Sequence, residues 1–164
     1  MKSPALHVVV WALAVSCAAQ GLAGRSIKAS YPIQFRDDDI GAQRIAKRLL
    51  SKEVAEEEAD VAEWPRMWTA WANLSDRTAP YLLVMYGCSP TGNCGLYGFE
   101  QRGRAWRRIL DSLAQRCSIS RSTHNGRHDL SAYMHGSATE GTVKTYWWHD
   151  NRYVRVSERD VVFK

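Results

Sequence analysis

The amino-acid sequence predicts an α+β fold, an antiparallel β-meander of six or seven short strands with an N-terminal helix packed on one face. Three observations point there. Apolar residues recur at helical spacing from Ala42 to Leu50. Pro65 closes that region. Beyond it, short β-favouring runs alternate with turn residues.

The elements follow in order. MKSPALHVVVWALAVSCAAQGLAG carries Lys2, an apolar run from Leu6 to Val15 and then small residues. That is the pattern of a secretory signal peptide over 1–23, cleaved after Gly21 or Ala23, and its apolar run is too short to span a bilayer. LAVSC also resembles a bacterial lipobox in which Cys17 is lipidated, although Ala14 stands where an aliphatic residue is usual. Both readings export the chain, to the periplasm or the medium in the first case and to a membrane-anchored lipoprotein in the second. No other segment is long and apolar enough to cross a membrane.

Residues 24–36, including RSIKASYPIQF with Pro32, read as an extended leader, and 37–164 as a single α+β domain. Asp37, Asp38 and Asp39 supply an N-cap and first-turn charge favourable against a helix dipole. Ala42, Ile45, Ala46, Leu49 and Leu50 then mark one apolar face of a helix over about 38–62. Strands are expected over about 67–158. Met67 to Asn73 and YLLVMYG are separated by LSDRTAP, CGLYGFEQRG and RAWRRILDSL meet at Gly103, THNGR joins the next pair, and TVKTYWW and YVRVSE flank HDNR. Asp150 and Asn151 there suit a two-residue turn with positive backbone angles.

Downstream of the signal lie Cys88, Cys94 and Cys117. Three pairings are possible. Export favours oxidation, and Pro90, Gly92 and Asn93 are turn residues that bring Cys88 and Cys94 within bridging distance, leaving Cys117 over. A zinc site is disfavoured: five residues separate Cys88 from Cys94, and only Cys117 with His124, His128 and His135 offers further ligands. Neither a metal nor a cofactor is expected.

Charge is uneven. Residues 36–63 hold five basic and nine acidic side chains, net −4, whereas 64–164 hold fourteen and eight, net +6. The basic half suits an anionic partner, with Arg102, Arg104, Arg107 and Arg108 the densest cluster. No nucleic-acid-binding motif is present, and nucleic acid is not an expected partner. Trp147 and Trp148 are adjacent in a strand and must point to opposite faces, so one is exposed unless covered. With Tyr146, Tyr153, Arg104 and Arg107 nearby, that region is the candidate binding surface.

WTAWANLSDRTAPYLLVMYG, GNCGLYGFEQRGRAWRRIL, NGRHDLSAYMHG and TYWWHDNRYVRV together resemble, in order and spacing, a loose group of small exported bacterial proteins. That group shows a Cys-bearing hairpin, a Gly-x-x-Asp-Leu strand and a closing aromatic hairpin. The likeness spans about 67–156 and implies export and the fold rather than a reaction. Some related sequences carry a calcium-binding loop where this chain has Asn73 to Thr78. Asp76 is the single carboxylate there, with Arg77 beside it, and calcium is not expected.

Two functional classes follow. The leading one is an exported non-enzymatic binding module acting on a protein or envelope component, including an inhibitor or immunity-type protein presenting the loop Ser89 to Asn93. The alternative is a small secreted hydrolase, with Cys117 or a serine as nucleophile, His124 or His128 as base and Asp129 as orienter. His128 and Asp129 are strand neighbours on opposite faces, which spoils the simplest triad.

Overall fold

A computed structural model of the chain describes residues 30–58, 67–75 and 81–163. The signal-like segment with Cys17, the leader up to residue 29, the expected helix beyond 58, Trp64, Pro65 and the stretch Asp76 to Thr78 lie outside the described residues. In chain order the elements are β1 (Ser30–Pro32), α1 (Ile40–Leu49), α2 (Ser51–Glu58), β2 (Trp68–Ala72), β3 (Tyr81–Tyr86), β4 (Cys94–Arg102), β5 (Ala105–Ala114), β6 (Arg116–His124), β7 (Arg127–His135), β8 (Glu140–His149) and β9 (Arg152–Val162).

α1 starts where the Asp39 carboxylate accepts the Ala42 amide at 2.8 Å, and ends with Lys47 and Arg48 in its last turn, where positive charge suits the helix dipole. Leu50 leaves helical geometry, and the chain continues as α2 rather than as one uninterrupted helix. Ala42, Ala46 and Leu50, four residues apart, pack on Leu82, Val84, Tyr86 and Phe99. This is the apolar stripe read from the sequence.

The strands are antiparallel throughout, but they do not make one meander of six or seven. They form two sheets, β2-β3-β4-β5 and β1-β6-β7-β8-β9. The reason lies in β3. All six of its residues are buried, so both of its faces need cover. Leu82, Val84 and Tyr86 meet the helix, while Tyr81 and Met85 join Leu96, Ile109, Leu110, Leu130, Ala132 and Tyr146 between the sheets. The molecule therefore has three layers: helix, four-stranded sheet and five-stranded sheet.

The leader is also more than a leader. Ser30 to Pro32 pairs with Ser118 to Ser120 of β6, and Arg36 exchanges backbone hydrogen bonds with Thr69 of β2 at 2.8 and 2.9 Å. One short stretch thus ties both sheets. The hairpin turns carry the expected positive φ angles: Asn125 and Gly126 at 50° and 76°, and Asp150 and Asn151 at 45° and 66°.

At one end of the sandwich, Cys88 and Cys94 lie at disulfide distance, 2.02 Å. The loop they close is also tied down by hydrogen bonds. Ser89 donates its amide to the Asn93 carbonyl at 2.8 Å, and the Asn93 side chain pairs with the backbone of His135 at 2.7 and 2.9 Å. Because these bonds persist without the bridge and the closed loop is short, the Cys88→Ser/Cys94→Ser double variant is expected to lose only about 2 kcal/mol. Thermal unfolding of the purified variant checks this, with a folded baseline retained.

Candidate functional site

The hairpin turns β4–β5, β6–β7 and β8–β9 converge at the opposite end, and a polar cluster lies beneath them. Along β4 the alternation Cys94, Leu96, Gly98, Glu100 keeps pointing between the sheets, so Glu100 arrives on a core face. It is 4% exposed. A buried carboxylate needs partners, and Glu100 has three: Arg127 Nη2 at 2.6 Å on one oxygen, with Arg107 Nη2 at 2.6 Å and Arg102 Nε at 2.9 Å on the other. Burial alone raises the Glu100 carboxyl pKa, but hydrogen bonds from Arg127, Arg102 and Arg107 outweigh it and hold the group below its ordinary range.

Arg127 is the centre of this cluster. Its guanidinium donates to Tyr81 Oη, which is 3.0 Å from Ser75 Oγ, and it lies 3.8 Å from the Trp148 ring centroid. Trp148 meets Tyr153 edge to face at 5.3 Å, and Tyr153 donates to the His128 carbonyl at 2.8 Å. Trp148 and Tyr153 are 7% and 6% exposed. They are core residues and not parts of a surface, because both point inward between the sheets. Arg107 joins them with its Cζ 5.8 Å from the Trp148 ring centroid, and Arg104 is exposed in the β4–β5 turn.

Trp147 lies on the other face, 40% exposed. Its ring stacks on His124 with centroids 3.7 Å apart and planes 13° from parallel. Beneath them the buried Asp129 carboxylate accepts from Ser122 Oγ at 2.5 Å and meets His124 Nδ1 at 2.6 Å. A carboxylate only accepts, so His124 carries its proton on Nδ1 and, when neutral, presents an open lone pair at Nε2. Ser120 and Ser122 lie where the β6–β7 pairing slips, 2.8 Å apart through their hydroxyls. An Asp-held imidazole and an indole thus form a rigid flat stack on the outer sheet face.

No family model, no curated protein and no solved structure matches this chain.

The expected binding surface therefore divides in two. Trp148, Tyr153 and Arg107 come together with Glu100 and Arg127, while Trp147 stands apart with His124 and Asp129. The hydrolase constellation is divided as well. Asp129 does hold His124, but Ser122 is bonded to the carboxylate rather than to the imidazole, and His128 Nδ1 instead faces the Ser120 carbonyl at 3.0 Å. Cys117 is buried among Leu130, Ala132 and Tyr146, and burial pushes its thiol up to about 12. In the folded protein Cys117 is expected to resist iodoacetamide at neutral pH and to react once the chain is unfolded in urea; mass analysis reads both.

Between the outer edges of β5 and β9 lies an open cleft of about 430 Å³, with Arg108 and Arg155 among its walls. Arg108 is paired with Glu53 and Asp111, and Arg155 with Glu158. Among the described residues there is no group of three His, Cys, Asp or Glu that could hold a metal ion, and no helix is long and apolar enough to cross a membrane.

Glu100, Arg127 and Tyr81 are the site residues that sequence reasoning missed. A signal for Glu100 existed: it falls on the same strand parity as Cys94 and Leu96, where a charge implies a buried partner. Arg127 follows the Asn125-Gly126 turn and reads as a solvated turn residue.

Proposed function

We propose that this chain is an exported, non-enzymatic binding module, periplasmic or secreted, that engages a protein or envelope component through the Trp147 face. The observation that carries this reading is the Trp147–His124 stack. Tryptophan is a favoured interface anchor, and one held rigid before contact loses little conformational freedom on binding. Asp129 holds the imidazole, the imidazole holds the indole, and Trp147 as a residue stays 40% exposed to a partner. Export is supported by the signal-like N-terminus and by the Cys88–Cys94 pair, which suits an oxidising compartment. A lipid anchor at Cys17 is the variant of this reading in which the module stays on the membrane.

Within this class, an inhibitor or immunity-type role draws on the second rigid feature. Ser89, Pro90 and Thr91 are exposed at the tip of the closed loop, which His135 braces through Asn93. Immobilised mature protein incubated with envelope and secreted fractions tests the proposal. One saturable partner is expected on the parent and not on Trp147→Ala. Recovery of no saturable partner, or equal recovery on both proteins, overturns it.

The hydrolase reading keeps one observation in its favour, the Asp129-oriented His124. It requires a nucleophile or a bound water at Nε2, and turnover of ester or peptide probes lost in His124→Gln would establish it.

A further inference from the structure

We infer that the hairpin-tip end holds an oxyanion site, in which Arg102 and Arg107 take a phosphate, sulfate or carboxylate group of a ligand. This goes beyond the Trp147 face, which lies on another side of the five-stranded sheet and shares no residue with it.

The argument begins with charge. One carboxylate, Glu100, serves three guanidiniums, so the cluster carries a net charge of two positive units. Arg127 is almost fully buried, with Nη1 donating to Tyr81 and Nη2 to Glu100. The unbalanced charge therefore lies on Arg102 and Arg107, whose side chains are 52% and 33% exposed. Among the described residues neither of the other acids nearby pairs with Arg102 or Arg107: Asp129 holds Ser122 and His124, and Asp150, its side chain 84% exposed, lies 3.1 Å from His149 Nε2.

Hydrogen bonding points the same way. A guanidinium has five N–H donors and no acceptor. Arg107 uses Nη2 on Glu100, and its buried Nε has no hydrogen-bond partner among the described residues. That Nε lies out of a ligand's reach, so the donors on offer are the remaining N–H groups of a side chain that is 33% exposed. Arg102 uses Nε on Glu100 and Nη2 on Asn151 at 3.3 Å, which sets its plane across the tips of the β4–β5 and β8–β9 hairpins. Two guanidiniums fixed from behind by one buried carboxylate, with donors left over at the surface, form a preorganised receptor for an oxyanion. Arg104, exposed in the β4–β5 turn, and Arg152, exposed at the start of β9, add attraction at longer range.

The full mature protein is titrated with inorganic phosphate, with sulfate and with glutarate, each against sodium chloride of equal ionic strength. The melting temperature and the Arg Nε–H signals in nitrogen-edited NMR are the readouts. At least one oxyanion is expected to raise the melting temperature saturably beyond chloride and to move the Arg107 Nε–H signal. A response to phosphate or sulfate assigns a phosphoryl or sulfuryl group, and a response to glutarate alone assigns a carboxylate. Arg102→Gln, which alters a largely exposed side chain, is expected to weaken binding about tenfold, as for one lost charge-assisted pair. Arg107→Gln should do the same if its melting temperature without ligand shows a folded protein. Trp147→Ala should bind as the parent does. The inference is overturned if no oxyanion exceeds chloride, if Arg102→Gln binds like the parent, or if Trp147→Ala abolishes the response. Failure here leaves the Trp147 face untouched, since partner capture is measured separately.

Discussion

Glu100→Gln is expected to lower the free energy of unfolding by about 3–5 kcal/mol, the cost of removing one member of a buried ion pair and leaving its partner uncompensated. The amide preserves shape and volume, so little of the loss is packing. The loss arises because Arg127 stays buried against Tyr81 and Trp148 with its charge unmatched, while Arg107 and Arg102 lose their shared acceptor. Urea unfolding of parent and variant measures the difference, and a loss below about 1 kcal/mol would place the cluster among ordinary surface pairs. The pH dependence has a definite sign. The folded-state pKa of Glu100 is depressed below its ordinary value of 4.5, so its contribution is complete above that value and is lost as pH falls through the folded-state pKa. Parent stability should therefore decline more steeply than that of Glu100→Gln in acid below about pH 4.5, and the gap between them should narrow.

Leu82→Ala and Leu96→Ala are each expected to cost about 2–5 kcal/mol, the range for deleting a fully buried leucine. The pair tests the three-layer arrangement. Leu82 faces the helix and Leu96 faces the second sheet, and both are fully buried. In a meander covered on one side only, one of the two would face solvent, and its truncation would cost a fraction of a kilocalorie per mole. Chemical denaturation of both single variants separates the alternatives. A large loss at Leu96 with almost none at Leu82 would mean that α1 does not dock.

How much of this was legible depends on the range of the interaction. The docking face of α1 was readable because Ala42 and Ala46 in the helix and Leu50 at its C-cap recur at intervals of four, and the turns were readable because Gly103, Asn125-Gly126 and Asp150-Asn151 carry their own backbone preference. The split into two sheets was not. It depends on what covers β3, and the run YLLVMY states that both faces are apolar without saying by what they are covered. β1 was missed for a related reason: Ser30, Tyr31 and Pro32 look like a leader, and only pairing with β6, about ninety residues onward, makes them a strand. At the site, strand alternation separated Trp147 from Trp148 correctly. It did not find Arg127, whose value comes from Glu100, Tyr81 and Trp148 on three other strands. Asp129 was legible as a partner for His124 or His128, but only the slip in the β6–β7 pairing, which the sequence does not show, brings it to His124 rather than to His128.

The role of the Trp147–His124 stack as a recognition surface is tested most directly by equilibrium titration of the captured partner against the parent, Trp147→Ala and Leu113→Ala. Leu113 is exposed on β5 in the other sheet and serves as the control. Trp147→Ala is expected to weaken the affinity at least about thirtyfold, the loss of one interface anchor of about 2 kcal/mol, while Leu113→Ala stays within about threefold of the parent. A partner that binds Trp147→Ala as tightly as the parent would contradict the account.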